Sequence, residues 1–195
     1  MTISQLITLL GYMTVCSFTP GPGNLLALST TSQYGWQKSR ALIFGICTGY
    51  GVVQAVCTTC VLALNQTLTA ALDILKYAGG LYMVWLAIHM MRSQPGHASA
   101  ETLPTFRQGF LLQLVNVKIY FYIITLLSVY FIPYASTGWG LVLDGIGAVA
   151  LGSAATFAWA FLGIKLQAIY EKHHQVIHII LGAFLLYCAW SIIKG

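Results

Sequence analysis

The chain has 195 residues, of which 58% are hydrophobic and 7% charged, with a mean hydropathy of +0.79 and a formal charge of +5. Such a composition excludes an ordinary soluble domain and reads as an all-α integral membrane protein. At about 20 residues per crossing, the apolar runs give six candidate spans near 4–28, 39–63, 70–91, 108–131, 138–163 and 176–193.

Span one has no Lys or Arg before it, and its apolar run is too long for a cleaved signal sequence. Cys16 follows Met13-Thr14-Val15, without the small residue expected before a lipidated cysteine. The run is then interrupted by Thr19-Pro20-Gly21-Pro22-Gly23-Asn24. Proline removes a backbone donor and glycine forms helix poorly, so the helix should open here. Inside a bilayer, irregular backbone survives only where protein buries it or where it lines a wet cavity. The motif therefore predicts a functional break on a solute path, against the alternative of a proline kink between packed helices. The helix should resume through Leu25 to Leu28, and Tyr34-Gly35-Trp36 should form an interfacial turn.

Span two carries Gly45 and Gly49, a close-packing face. It also carries Cys57-Thr58-Thr59-Cys60, whose Cys-x-x-Cys spacing leaves open a membrane thiol oxidoreductase. No Cys or His spacing suggests zinc, and no cofactor is expected. In span three, Gly79-Gly80 precede Tyr82, Trp85 and His89, the last a minor candidate for proton handling. The polar stretch from Ser93 to Thr105 reads as a linker between halves 1–92 and 106–195 of a single transporter domain, 1–195. The halves resemble each other: Leu81 to Ala87 matches Ala183 to Ala189, with Gly80 opposite Gly182 and Arg92 opposite Lys194. Two three-span halves must insert in opposite senses. The predicted fold is thus six transmembrane helices in two inverted three-helix repeats, helices one and four interrupted.

Span four contains Gln113, Asn116 and Lys118. Counted from Arg107, eleven residues at about 1.5 Å each put Lys118 roughly 16 Å deep, near the middle of a ~30 Å core. A lysine there is costly and marks a functional position, against the alternative of a shorter or tilted helix that lets its head reach the cytoplasmic interface. Residues two apart on a regular helix face different ways, so Asn116 and Lys118 reach one cavity only where the helix unwinds. Asp144, near the outer end of span five, is a second candidate for coupling, and His173-His174 open span six without suggesting a metal.

Six of the nine Lys and Arg (Lys38, Arg40, Arg92, Arg107, Lys165, Lys172) border three short loops, and Lys76 and Lys194 lie on the other side. The bias predicts that both termini face away from the cytoplasm. Anionic lipid, not nucleic acid, is the ordinary partner of such loops.

The Thr19–Asn24 motif, the run Gln113-Leu-Val-Asn-Val-Lys118, the segment Lys76 to Tyr82 and the closing Tyr187-Cys188-Ala189 together resemble the LysE/RhtB family of bacterial amino-acid exporters over essentially the whole chain. Where that family often has Asn after the second proline, this chain has Gly23, and Asn24 follows. The resemblance implies inner-membrane export of small neutral amino acids or derivatives, cysteine and O-acetylserine foremost, by proton antiport. The partners it implies are an amino-acid substrate, protons and lipid, and it is compatible with a homo-oligomer. The substrate-binding candidates are Pro20, Gly21, Pro22, Gly23, Asn24, Asn116 and Lys118, with Lys118 also the proton-coupling candidate. First-turn N–H groups near Asn24 suit a carboxylate, and carbonyls ending at Thr19 suit an ammonium. Lys118 either pairs with the carboxylate or exchanges the proton. A passive channel is the remaining alternative.

Overall fold

The structure, a computed structural model, describes residues 2–63, 77, 81, 84–88, 91–92, 103–132 and 138–194. Its helices are α1 (Ile3–Phe18), α2 (Pro22–Ala63), α3 (Phe106–Leu114), α4 (Val117–Thr125, running on as a π-helical turn, Leu126–Phe131), α5 (Gly138–Lys165) and α6 (Gln167–Lys194). Residues 77, 81, 84–88 and 91–92 are also helical. Most of span three with Gly79-Gly80 and His89, the linker to Thr102, and residues 133–137 lie outside the described residues.

Among the described residues, Pro22–Cys60 and Gly138–Lys165 are long and apolar enough to cross a membrane. α3 and α4 with its π turn, bent by 55° at their break, are together long and apolar enough for a third crossing or a re-entrant loop, and Ile3–Phe18 is a shorter apolar helix.

Both broken helices begin in the same way. Thr2 and Gln5 form a capping box: the Gln5 N–H donates to Thr2 Oγ1 at 3.3 Å, and the Thr2 N–H donates to Gln5 Oε1 at 2.8 Å. Thr105 and Gln108 repeat it at 3.3 and 2.9 Å. The boxes satisfy donors that have no intrahelical partner. Each of these helices then stops after a few turns, α1 at Thr19 and α3 at Val115.

After the first break the chain stays helical beyond Leu28, through Ser29-Thr30-Thr31-Ser32, and turns only at Gly35. This corrects the short half-helix expected from the sequence. The hydroxyls are absorbed by α5: Thr31 Oγ1 lies 2.8 Å from the carbonyls of both Ala27 and Ala160, and Ser32 Oγ donates to Gly163 O at 2.9 Å. Polar contacts of this kind join helices where no hydrophobic force can. Gly35 has φ +71°, a conformation that favours glycine, so the expected turn falls where the sequence put it. The Ser39 hydroxyl ties the turn by donating to Thr30 O at 3.0 Å.

The second limb of α2 packs on α3 through bare glycines. A Cβ on Gly45 would collide with the Phe106 carbonyl, and one on Gly49 would lie 2.8 Å from Gln113 Cβ. A Cβ on Gly109 would collide with the Leu42 carbonyl. This seam fixes the end of α3, and hence the second break, beside the first. Tyr122 on α4 stacks on Tyr12, which stacks on Tyr130, each pair with ring centroids 5.8 Å apart. Before the apolar stretch of α6 the helix kinks at His173. Tyr170 and His178, both buried, share a hydrogen bond across that kink, and burial raises the Tyr170 phenol above its ordinary range.

Candidate functional site

The site begins with the accounting of backbone groups at the first break. A helix end leaves carbonyls that must find partners when buried. Here side chains supply them. Asn24 Nδ2 donates to Ser17 O at 2.8 Å and to Thr19 O at 3.2 Å. Trp159 Nε1, from α5, donates to Phe18 O at 3.1 Å. Lys118 Nζ, from α4, donates to Thr19 O at 2.8 Å. The helix restarts at Pro22, a first-turn position where the missing N–H costs nothing. Its first backbone bond runs from the Leu25 N–H to Gly21 O at 2.9 Å.

The first break and Lys118 meet directly. A Cβ on Gly21 would sit 2.9 Å from Lys118 Cδ, so the bare glycine is what admits the lysine to the break.

The second break is at Val115-Asn116, with Asn116 at φ −81°, ψ 90°. This is the local unwinding needed for Asn116 and Lys118 to share a cavity. Asn116 occupies the N-cap of α4 without capping it. Its Nδ2 donates instead to Gln113 Oε1 at 2.8 Å, and its Oδ1 is buried with no hydrogen-bond partner.

Between the breaks lies a cavity of about 30 Å³, room for about two waters. Of the candidates, Gly21, Gly23, Asn24, Asn116 and Lys118 line it. Pro20 and Pro22 do not; they make the break rather than the wall. Sequence reasoning missed Ser17, Tyr50, Ile119, Tyr122, Gly152 and Thr156 as lining residues, and noted Cys16 and Gln113 without assigning them to the site. Tyr50 sits between two helical glycines, and only the α2–α5 contact turns it inward; no local pattern carried that signal. Lys118 is the one charged side chain among the described residues of the wall.

The other candidates fall elsewhere. Asp144 is exposed on α5 and away from this cavity. Cys57 is buried in an apolar cluster and Cys60 is half-buried, both as free thiols. Among the described residues no group of His, Cys, Asp and Glu is placed to hold a metal.

Residues 14–194 match the LysE type translocator family. The chain is 31% identical over 190 residues to a cysteine/O-acetylserine efflux protein of Escherichia coli O157:H7, covering 97% of each chain. It is 30% identical, with the same coverage, to the protein so named in Escherichia coli strain K12. No solved structure matches it.

Proposed function

The chain belongs to the LysE type translocator family, a transporter family and not an enzyme family, and from that membership we propose that it exports small neutral amino acids or their derivatives across the bacterial inner membrane by proton antiport. Cysteine and O-acetylserine are the proposed substrates, since these are what the relatives are named for. The carrying observation is that the ammonium of Lys118 rests on the carbonyl end of a broken helix, inside a cavity shared by both breaks.

An amino acid presents a carboxylate and an ammonium, and the cavity, with room for about two waters, must widen to take it. The carboxylate goes to the first-turn N–H groups of α2, at Gly23 and Asn24, where the helix dipole favours negative charge. The ammonium goes to Thr19 O and Asn116 Oδ1. Thr19 O is already held by Lys118, so substrate ammonium and lysine ammonium compete for one acceptor. Substrate then binds as Lys118 gives up its proton, and leaves as Lys118 regains one from the other side. That mutual exclusion is what antiport requires. In this reading Lys118 takes the proton-exchange role rather than that of carboxylate partner.

The fold proposed for this cycle is six spans in two inverted repeats, 1–92 and 106–195. The paired capping boxes and breaks support it, since each half opens with Thr-x-x-Gln and then breaks. The proposed orientation puts Met1 and Gly195 in the periplasm. A periplasmic reporter fused at Gly195 should be active and one at Gly96 silent; the reverse pattern would overturn the orientation.

The function is tested in inverted vesicles with labelled cysteine, O-acetylserine and a panel of other amino acids. Uptake should exceed equilibrium when the lumen is acidic and should collapse with a protonophore. Uptake that never exceeds equilibrium would make the protein a passive channel.

A further inference from the structure

The polar side chains around the cavity are largely committed to one another. Asn24 is tied to Ser17 and Thr19, the amide of Asn116 to Gln113, and the Thr156 hydroxyl donates to Gly152 O at 3.1 Å. The Ser17 hydroxyl donates to the Tyr122 hydroxyl at 3.5 Å. Two buried atoms in the wall make no hydrogen bond: Asn116 Oδ1 and the Tyr50 hydroxyl. Tyr50 is 3% exposed, and its hydroxyl neighbours that of Tyr122 without closing a bond. A buried hydroxyl left without a partner costs stability until something pairs with it.

The ring is held in place. A Cβ on Gly152 would collide with it, so the ring occupies the space that any larger residue on α5 would take. The ring of Tyr122 lies on another side, centroids 6.4 Å apart. The main chain beneath cannot yield, because Gly49 is packed against Gln113 and the Phe110 carbonyl. The phenol is therefore a fixed donor in a tight wall, and a fixed donor discriminates between ligands that can and cannot accept from it.

We propose that Tyr50 is a specificity-determining residue, its hydroxyl donating to an acceptor atom on the substrate side chain, so that the transporter selects small amino acids bearing a hydroxyl, thiol or ester oxygen. This rests on the transport reading above, with the carboxylate at α2 and the ammonium at Thr19 and Asn116 leaving the side chain to face Tyr50. The ring over Gly152 sets the size limit.

The test is competition by unlabelled amino acids against labelled O-acetylserine uptake in inverted vesicles. Serine and 2-aminobutyrate are close in size, and only serine carries the acceptor. The native chain should prefer serine by about tenfold, the worth of one neutral hydrogen bond. Tyr50→Phe, which keeps the ring and the packing, should bring the two near parity. An unchanged preference in Tyr50→Phe overturns the proposal. Gly152→Ala gives an arm that keeps the hydroxyl. The added methyl drives the ring into the cavity, so O-acetylserine should lose affinity at least threefold more than serine; equal retention of both overturns the size limit. Absence of any amino-acid uptake by the native chain would instead bring down the transport reading itself.

Discussion

In vesicles carrying Lys118→Met, accumulation driven by a pH gradient is expected to fall to background, while the protein inserts and folds as well as the native chain or better. The lysine is the charged side chain of the cavity wall, and its ammonium rests on the Thr19 carbonyl. A charge at bilayer depth costs about 2.5–3.5 kcal/mol on insertion scales, so its removal relieves the fold. Thr19 O retains Asn24 as a donor at 3.2 Å, so the break does not lose its last partner. What is lost is the proton that must leave before the substrate ammonium can take its place. Lys118→Arg should fail equally, since arginine does not deprotonate in proteins. Measured by uptake at matched protein content, native accumulation in Lys118→Met would remove the residue from the mechanism. Rescue by arginine would make it a fixed charge with coupling elsewhere.

The double substitution Pro20→Ala, Pro22→Ala should reduce export below about a tenth of the native rate while leaving helicity equal or greater. A proline costs about 3 kcal/mol in a helix interior relative to alanine, and these two keep α1 and α2 apart. With alanine at both positions the carbonyls of Ser17, Phe18 and Thr19 can take backbone N–H partners. Asn24, Trp159 and Lys118 then lose the acceptors they now use. The cavity wall closes as the helix heals. Transport is read by vesicle uptake, and the fold by circular dichroism and melting in detergent. Full export in the double variant would make the motif a kink and no more.

The parts of this site that the sequence declared are those that violate a local rule. Two prolines and two glycines in an apolar run announce a broken helix, and a lysine inside an apolar span announces a polar site, here the half-buried Lys118 on the Thr19 carbonyl. Asn116 beside it required unwinding, which the structure has. The parts that stayed hidden depend on packing between helices distant in sequence. In lipid, surface and interior are both apolar: Trp139 is 79% exposed and Leu112 fully buried, with nothing in their chemistry to separate them. The periodicity that sorts faces in a soluble helix is therefore faint. Tyr50 could not be oriented for that reason. The run Ser29 to Ser32 read as the approach to a turn because its partners, the carbonyls of Ala160 and Gly163, lie far along the chain. Nor could the sequence say that the Thr19 carbonyl is held by Lys118, the contact on which the proposed competition rests.

The central claim is that substrate occupies the cavity between the two breaks, and Cys16 gives direct access to it because its side chain lines that cavity. In a chain whose Cys47, Cys57, Cys60 and Cys188 are replaced by alanine, alkylation of Cys16 by N-ethylmaleimide can be followed by mass. O-acetylserine is predicted to slow that alkylation, saturating over the concentration range in which its transport saturates. Transport of O-acetylserine with no change in the rate of Cys16 alkylation would contradict the account.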